Sequence, residues 1–157
     1  TNTSFLRLNY YPVCPNPANT NLDMPLEGRL GIHHHTDAGA VTVLLQDQVS
    51  GLQFKQGDQW CSVPADPGSL IINLGDLVQV WSNDRYRSPL HRVLANSEDE
   101  RFSAAFFMNP VFSTNCSPLL GGKPRYRTLN WGEYRSKRAA GDFANLGEEI
   151  QVDSYRI

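Results

Sequence analysis

The chain has 157 residues, 40% of them hydrophobic, enough to bury one core of ordinary domain size but hardly two. A formal net charge of -2, from 14 basic and 16 acidic residues, offers no long-range attraction to phosphate backbones or anionic lipid, so neither nucleic acid nor membrane is an expected partner. The longest apolar runs, residues 41–45 and 104–108, are far too short to cross a bilayer, and nothing at the start resembles a signal peptide.

Phe5, Leu6, Leu8, Tyr10 and Tyr11 predict a strand, and Pro12, Pro15 and Pro17 then open a loop expected to reach about Arg29. Compact β-like runs follow at 41–46, 52–55, 60–63, 69–74, 90–95 and 102–108. Gln56-Gly57-Asp58 reads as a hairpin loop and Asp66-Pro67-Gly68 as a tight turn. Short strands at this spacing argue for a sandwich or barrel. In residues 76–81, Leu77, Val78 and Trp81 suit a helical stripe after an Asp76 cap as well as they suit a strand, and one short helical turn is the favoured reading. Near the end, Asn130 is placed to cap a helix with Glu133 three residues on, Gly141 to stop it, and Trp131, Tyr134 and Arg138 to share one face. The Pro/Gly-rich stretch 118–124 is the only linker-like segment. The expected fold is therefore mainly β, a double-stranded β-helix or jelly roll over residues 1–110, with a C-terminal extension over 111–157 carrying a short helix near 131–140. Three widely spread cysteines, Cys14, Cys61 and Cys116, suggest neither a disulfide framework nor a zinc knuckle and fit a reducing, cytoplasmic setting.

The chemistry concentrates in a few polar pairs. His35 and Asp37 lie two apart, so on an extended backbone both project to one face and can grip one ion. His91, on another predicted strand, is brought close by antiparallel jelly-roll topology. Two imidazoles and one carboxylate leave three coordination positions open, the arrangement that non-haem Fe(II) oxygenases need for cosubstrate and O2 together; structural zinc wants a closed tetrahedral site instead. Arg101 and Ser103 repeat the spacing and can fork onto a carboxylate and add a hydroxyl. Asn9 and Tyr11 repeat it again with an amide and a phenol. Taken singly, each has a plainer reading: a buried core histidine, a solvated arginine at a strand start, an Asn-Tyr-Tyr-Pro turn. Trp60, Trp81, Phe106 and Phe107 are expected mainly as core, with Phe107 and Asn109 as weaker candidates for a substrate pocket.

Read in order, Asn-Tyr-Tyr-Pro at 9–12, His-Thr-Asp-Ala-Gly at 35–39, Leu-Leu-Gln-Asp and Gly-Leu-Gln within 44–53, Asn-Leu-Gly-Asp at 73–76, Trp-Ser-Asn at 81–83, His-Arg-Val at 91–93 and Arg-x-Ser at 101–103 resemble the plant-type and isopenicillin-N-synthase-like 2-oxoglutarate/Fe(II)-dependent dioxygenases. The resemblance covers residues 6–110, with a weaker match beyond. It implies an oxidoreductase in which His35, Asp37 and His91 hold Fe(II) and 2-oxoglutarate chelates that iron. The far carboxylate of the cosubstrate would rest on Arg101 and Ser103, with Asn9 and Tyr11 in contact with it. It further implies O2-dependent oxidation, most often hydroxylation, of a small organic molecule, with release of succinate and CO2.

Two departures stand out. His33 and His34 precede the expected ligand and are assigned to the surface or to the layer behind the metal. Similar enzymes also carry an N-terminal portion of comparable size, and this chain, starting Thr-Asn-Thr-Ser and passing almost at once into a strand, reads as a piece of something longer. Apolar faces built for such a portion would be exposed, or would pair with another copy. The alternatives left open are a 2-oxoglutarate-independent Fe(II) oxidase of the same fold, a cupin-like non-redox metal-binding module, and a fragment silent on its own.

Overall fold

The computed structural model describes residues 2–18, 28–144 and 150–157. Its elements run β1 (Phe5–Tyr11), β2 (Leu30–His35), β3 (Val41–Gln46), β4 (Leu52–Gln56), β5 (Gln59–Ser62), β6 (Ile71–Leu74), α1 (Asp76–Trp81), β7 (His91–Leu94), β8 (Arg101–Met108), β9 (Asn115–Cys116), β10 (Leu129–Asn130) and α2 (Trp131–Ala144), then a 3-10 turn at Val152–Tyr155. Two antiparallel sheets face each other, one in the order β1-β8-β3-β6 and the other β2-β7-β4-β5. This is a jelly roll. Residues 19–27, half of the loop expected from Pro12 to Arg29, lie outside the described residues.

Strand alternation decides what each sheet offers. In β1, Arg7, Asn9 and Tyr11 turn towards the opposite sheet, while Leu6, Leu8 and Tyr10 turn away and stay exposed. The register continues that outer row across β8, pairing Leu6 with Phe106 and Tyr10 with Phe102, both exposed as well. Phe106 is therefore not core as the sequence suggested. Its neighbour Phe107 has the opposite parity and faces inward.

The C-terminal residues complete a second core. Tyr126, Leu129, Trp131, Tyr134, Val152 and Tyr155 pack with Ala40, Leu77 and Val80, and Trp81 lies against them. The stretch 118–124 is correspondingly not a free linker: the N–H groups of Leu119 and Leu120 both donate to the Trp81 carbonyl, ending α1. The helix α2 starts where the sequence places it, with Asn130 Oδ1 accepting from the Glu133 N–H at 3.2 Å. It runs through Gly141 to Ala144. One glycine lowers helix propensity by only about 1 kcal/mol, and the buried stripe of Trp131, Tyr134 and Arg138 outweighs it.

Asp76 departs from its expected capping role. Gly75 occupies the cap position and Asp76 is the first helical residue, its carboxylate turned inward to accept from the Tyr134 hydroxyl at 2.6 Å. Gly75 is required by close approach, since a Cβ there would stand 2.2 Å from the Gly39 carbonyl oxygen. No helix among the described residues is long and apolar enough to cross a membrane.

Asp84 ties the chain's end to α1. Asn83 and Asp84 adopt left-handed φ of 54° and 70°, which their short polar side chains tolerate. The Asp84 carboxylate accepts from Arg156 at 2.6 and 3.1 Å, from Arg125 at 3.3 Å and from the Tyr126 hydroxyl. The Arg156 guanidinium, outweighing burial, holds that carboxyl well below its usual range, while burial and Asp84 push the Tyr126 phenol up to about 12. A depressed carboxylate stabilises the fold above its unfolded pKa of about 4, and that stability drains away as pH falls through the lower native value. We expect Asp84→Asn to melt at a lower temperature than wild type at pH 7, with the gap closing as melting curves are taken to progressively lower pH below about 4.

Candidate metal centre and cavity

Between the sheets lies a cavity of about 300 Å³. Its wall is largely apolar, with Ile32, Leu44, Leu52, Phe54, Val63, Ile71 and Val93 among its lining, and a few polar side chains converge inside it.

His35 ends β2 and His91 begins β7, and the register pairs them directly, with ring centroids 4.3 Å apart. Asp37 lies just past the end of β2, so simple strand alternation does not explain its approach. The loop does: the Asp37 carbonyl accepts from the Asp76 N–H at 2.8 Å, and Gly75 lets that turn close. Both imidazole Nε2 atoms then stand 3.7 Å from Asp37 Oδ1. These distances are those of groups aimed at a common point, too long for direct hydrogen bonds.

The tautomers follow from the partners. His35 Nδ1 meets the His33 carbonyl at 2.8 Å and His91 Nδ1 meets the Pro89 carbonyl at 3.1 Å. A carbonyl only accepts, so each Nδ1 donates, and Nε2 is the nitrogen left to face a metal. Burial, reinforced by neighbouring His91, lowers the His35 pKa and favours the neutral imidazole that ligation requires. The other carboxylate oxygen, Asp37 Oδ2, is already engaged by Thr42 Oγ1 and Asn73 Nδ2, each at 2.6 Å. Oδ1 alone is left for an ion.

Thr42 and Asn73 were not singled out as functional from the sequence. Asn73 belonged to a matching stretch, but only the β3–β6 register, which pairs it with Thr42, shows the two donors acting together. Replacing Thr42 by valine keeps the shape and removes the donor. We expect metal affinity to fall by about 10–100-fold, measured by competition with a chelator, with little change in folded structure. His33 and His34 are both exposed, and a register irregularity between Ile32 and His35 interrupts the strand alternation that would otherwise put His33 on the same face as His35.

The other end of the cavity is built on β1 and β8. Antiparallel register sets Asn9 against Ser103 and Tyr11 against Arg101, so the two sequence pairs form a single patch. Asn9 Nδ2 donates to Ser103 Oγ at 3.2 Å, and the Arg101 guanidinium lies 5.0 Å from the centre of the Tyr11 ring. Arg101 is 2% exposed; its Nε and Nη2 donate to the Val49 carbonyl and to Gln46 Oε1, and Nη1 has no partner among the described residues. A buried guanidinium without a carboxylate is costly unless an anion completes it. Phe107 lines the cavity; Asn109 instead donates to the Thr3 carbonyl at 3.2 Å.

The sequence profile of the 2OG-Fe(II) oxygenase superfamily matches residues 2–110. The chain belongs to that superfamily. It is 40% identical over 156 residues to gibberellin 2-beta-dioxygenase 6 of Oryza sativa subsp. japonica, covering 98% of this chain and 40% of that protein. Among solved structures, JOX2 in complex with 2OG, Fe and JA matches with a TM-score of 0.74 and 38% identity, over 85% of this chain and 38% of that one. The dioxygenase for auxin oxidation (DAO) in rice matches with a TM-score of 0.78 and 26% identity, over 98% of this chain and 51% of that one. The chain spans about two fifths of the length of the curated relatives it matches.

The residues present fit the cofactors of that superfamily. Two imidazoles and a singly available carboxylate oxygen suit Fe(II) with open positions, and Arg101 Nη1, without a partner among the described residues, suits the distal carboxylate of a keto acid in the same cavity.

Proposed function

We propose that this chain carries the catalytic centre of a 2-oxoglutarate- and O2-dependent oxygenase that oxidises, most often by hydroxylation, a small organic molecule and releases succinate and CO2. His35, Asp37 and His91 are assigned to Fe(II). Arg101 and Ser103 are assigned to the distal carboxylate of 2-oxoglutarate, with Asn9 and Tyr11 bracing them. The observation that carries this reading is the pairing, in one cavity, of three convergent candidate ligand atoms with a buried arginine whose Nη1 lacks a partner among the described residues. Iron and keto acid together supply the oxidising power; the protein's residues supply position and dryness.

Each residue then has a definable task. Thr42 and Asn73 hold Asp37 to a single free oxygen, and the carbonyls of His33 and Pro89 fix the imidazole tautomers. Arg101 neutralises a carboxylate that apolar walls would otherwise repel, and its grip sets the keto acid's reach towards the histidines. Leu44, Leu52, Val63 and Val93 keep water from that end. Residues 1–110 form the catalytic core in this reading and residues 111–157 brace it through α2. A cytoplasmic location is proposed with it, supported by the free thiols of Cys14, Cys61 and Cys116. Self-association is proposed as well, through the exposed outer row of Leu6, Leu8, Tyr10, Phe102 and Phe106.

The test is anaerobic titration of the Fe(II)-loaded protein with 2-oxoglutarate. A weak visible metal-to-ligand absorption that saturates with added keto acid is the expected result. Intact, iron-loaded protein that develops no band would remove the 2-oxoglutarate assignment and leave an oxidase that works without it, or a metal module without redox chemistry.

A further inference from the structure

Thr36 lies between His35 and Asp37, and its carbonyl belongs to the peptide that leads into Asp37. Other carbonyls of that loop are taken by the start of α1: Asp37 accepts from the Asp76 N–H at 2.8 Å, Gly39 from Leu77 at 3.1 Å and Ala40 from Gly75 at 2.8 Å. The Thr36 carbonyl is held differently. It accepts from Arg138 Nη2 at 2.7 Å, a side chain 102 positions away on the C-terminal helix α2. A charged donor makes a stronger bond than a backbone N–H, and here it sits on the one peptide carbonyl that separates two metal-ligand candidates.

Arg138 is built into its place. It is buried, its Nη1 donates to Gln151 Oε1 at 2.6 Å, and the same nitrogen stands 4.0 Å from Asp76 Oδ2. Tyr134, one turn earlier on the same face of α2, donates to that carboxylate oxygen at 2.6 Å, and the Thr36 hydroxyl reaches it at 3.3 Å. Thr36 is therefore clasped twice, its carbonyl by the cation and its side chain by the carboxylate. The carbonyls on both sides of the Asp37 Cα are thereby fixed, one by α2 and one by α1. Two fixed peptide planes set the φ and ψ between them, and so the direction of the Asp37 side chain. Thr42 and Asn73 hold only the far end of that carboxylate.

From this geometry we propose that Arg138 is a positioning residue for the metal centre: by fixing the Thr36–Asp37 peptide it sets the approach of Asp37 Oδ1 to the point shared with the two imidazoles, and it ties metal affinity to the seating of α2. The proposal rests on the assignment of the metal to His35, Asp37 and His91 and adds to that site a residue of the C-terminal extension.

The test is metal binding alone, with neither cosubstrate nor turnover. Wild type, Arg138→Met, Arg138→Lys and Trp131→Phe are titrated with Co(II) in competition with a chelator, and the visible d–d spectrum of each Co(II) complex is recorded. Methionine fills much of the space of the arginine stem and removes its donors. Arg138→Met is expected to bind Co(II) about tenfold or more weakly, the usual size for losing a group that orients a ligand, and to shift the d–d bands because Asp37 is re-aimed. Arg138→Lys keeps the charge beside Asp76 but not the fork that spans Gln151 and Thr36; it should still lose about threefold, and it decides the question in the same way if the methionine variant does not fold. Trp131→Phe removes the donor to Thr3 Oγ1 at 2.9 Å and loosens the same helix where it touches Thr3 rather than Thr36. That variant should melt at a lower temperature yet bind Co(II) within about twofold of wild type, with the wild-type spectrum. A folded Arg138 variant that matches wild type in affinity and spectrum would overturn the proposal. So would a Trp131→Phe that loses as much affinity as Arg138→Met, because the arginine would then act only through the stability of α2. Wild type that fails to bind Co(II) would overturn the metal assignment together with the proposal, whereas the absence of a 2-oxoglutarate band leaves both standing.

Discussion

Replacing His91 by alanine is expected to abolish 2-oxoglutarate-dependent turnover, a fall of about 1000-fold or more, as when one member of a cooperating catalytic set is removed. His91 supplies one of the three candidate ligand atoms that converge among the described residues, and its Nδ1 contact with the Pro89 carbonyl leaves its Nε2 aimed at the same point as His35 Nε2 and Asp37 Oδ1. Two ligands cannot hold a labile divalent iron in a cavity that otherwise offers mostly apolar side chains. The visible band should vanish with it, because the keto acid then has no metal to chelate. The fold should survive, since His91 is half-buried at the start of β7 and its neighbours Arg92 and Val93 carry the buried packing there. A melting temperature close to wild type, together with lost iron in metal analysis, is the combination that checks the assignment. Full iron occupancy in His91→Ala would refute it.

Arg101→Met should raise the Kd for 2-oxoglutarate by about 100-fold, in line with about 2–5 kcal/mol for removing one partner of a buried, hydrogen-bonded charge pair. Methionine retains much of the volume, so the test separates lost charge from lost packing. That distinction matters because Arg101 is also structural: it donates to Gln46 and Val49 and stacks on Tyr11, and a truncation to alanine would loosen all three. Iron affinity should be nearly unchanged, since the ligand atoms belong to β2, β7 and the loop after β2. Calorimetric titration of Fe(II)-loaded wild type and variant with 2-oxoglutarate checks the prediction, and equal affinities would release Arg101 from its role.

His91→Ala and Arg101→Met probe two ends of one cavity, and the sequence treats those ends unequally. The metal end was legible because imidazole and carboxylate carry their chemistry with them: His35, Asp37 and His91 are conspicuous wherever the chain places them. The keto-acid end was legible only as spacing. Arg101-x-Ser103 and Asn9-x-Tyr11 each promise a shared face, but that the two faces coincide is a fact of the β1–β8 register.

What the sequence determined by itself is the local order: the short strands, the hairpin at Gly57, the tight turn at Gly68, the Asn130 cap of α2 and the identities of the polar pairs. Each depends on residues within a few positions of one another, where propensity and turn chemistry act directly. The tertiary structure alone decided which residues meet from afar. It chose the free oxygen of Asp37 by bringing in Thr42 and Asn73, sent Phe106 outward and Phe107 inward, and turned the Asp76 carboxylate from a cap into a buried partner of Tyr134. It carried α2 past Gly141 and drew 118–124 onto α1. It also put Arg7 on the cavity-facing side of β1. The reason is physical: register and packing are set by the summed burial of many distant side chains, and no local pattern encodes where a strand's partner will come from.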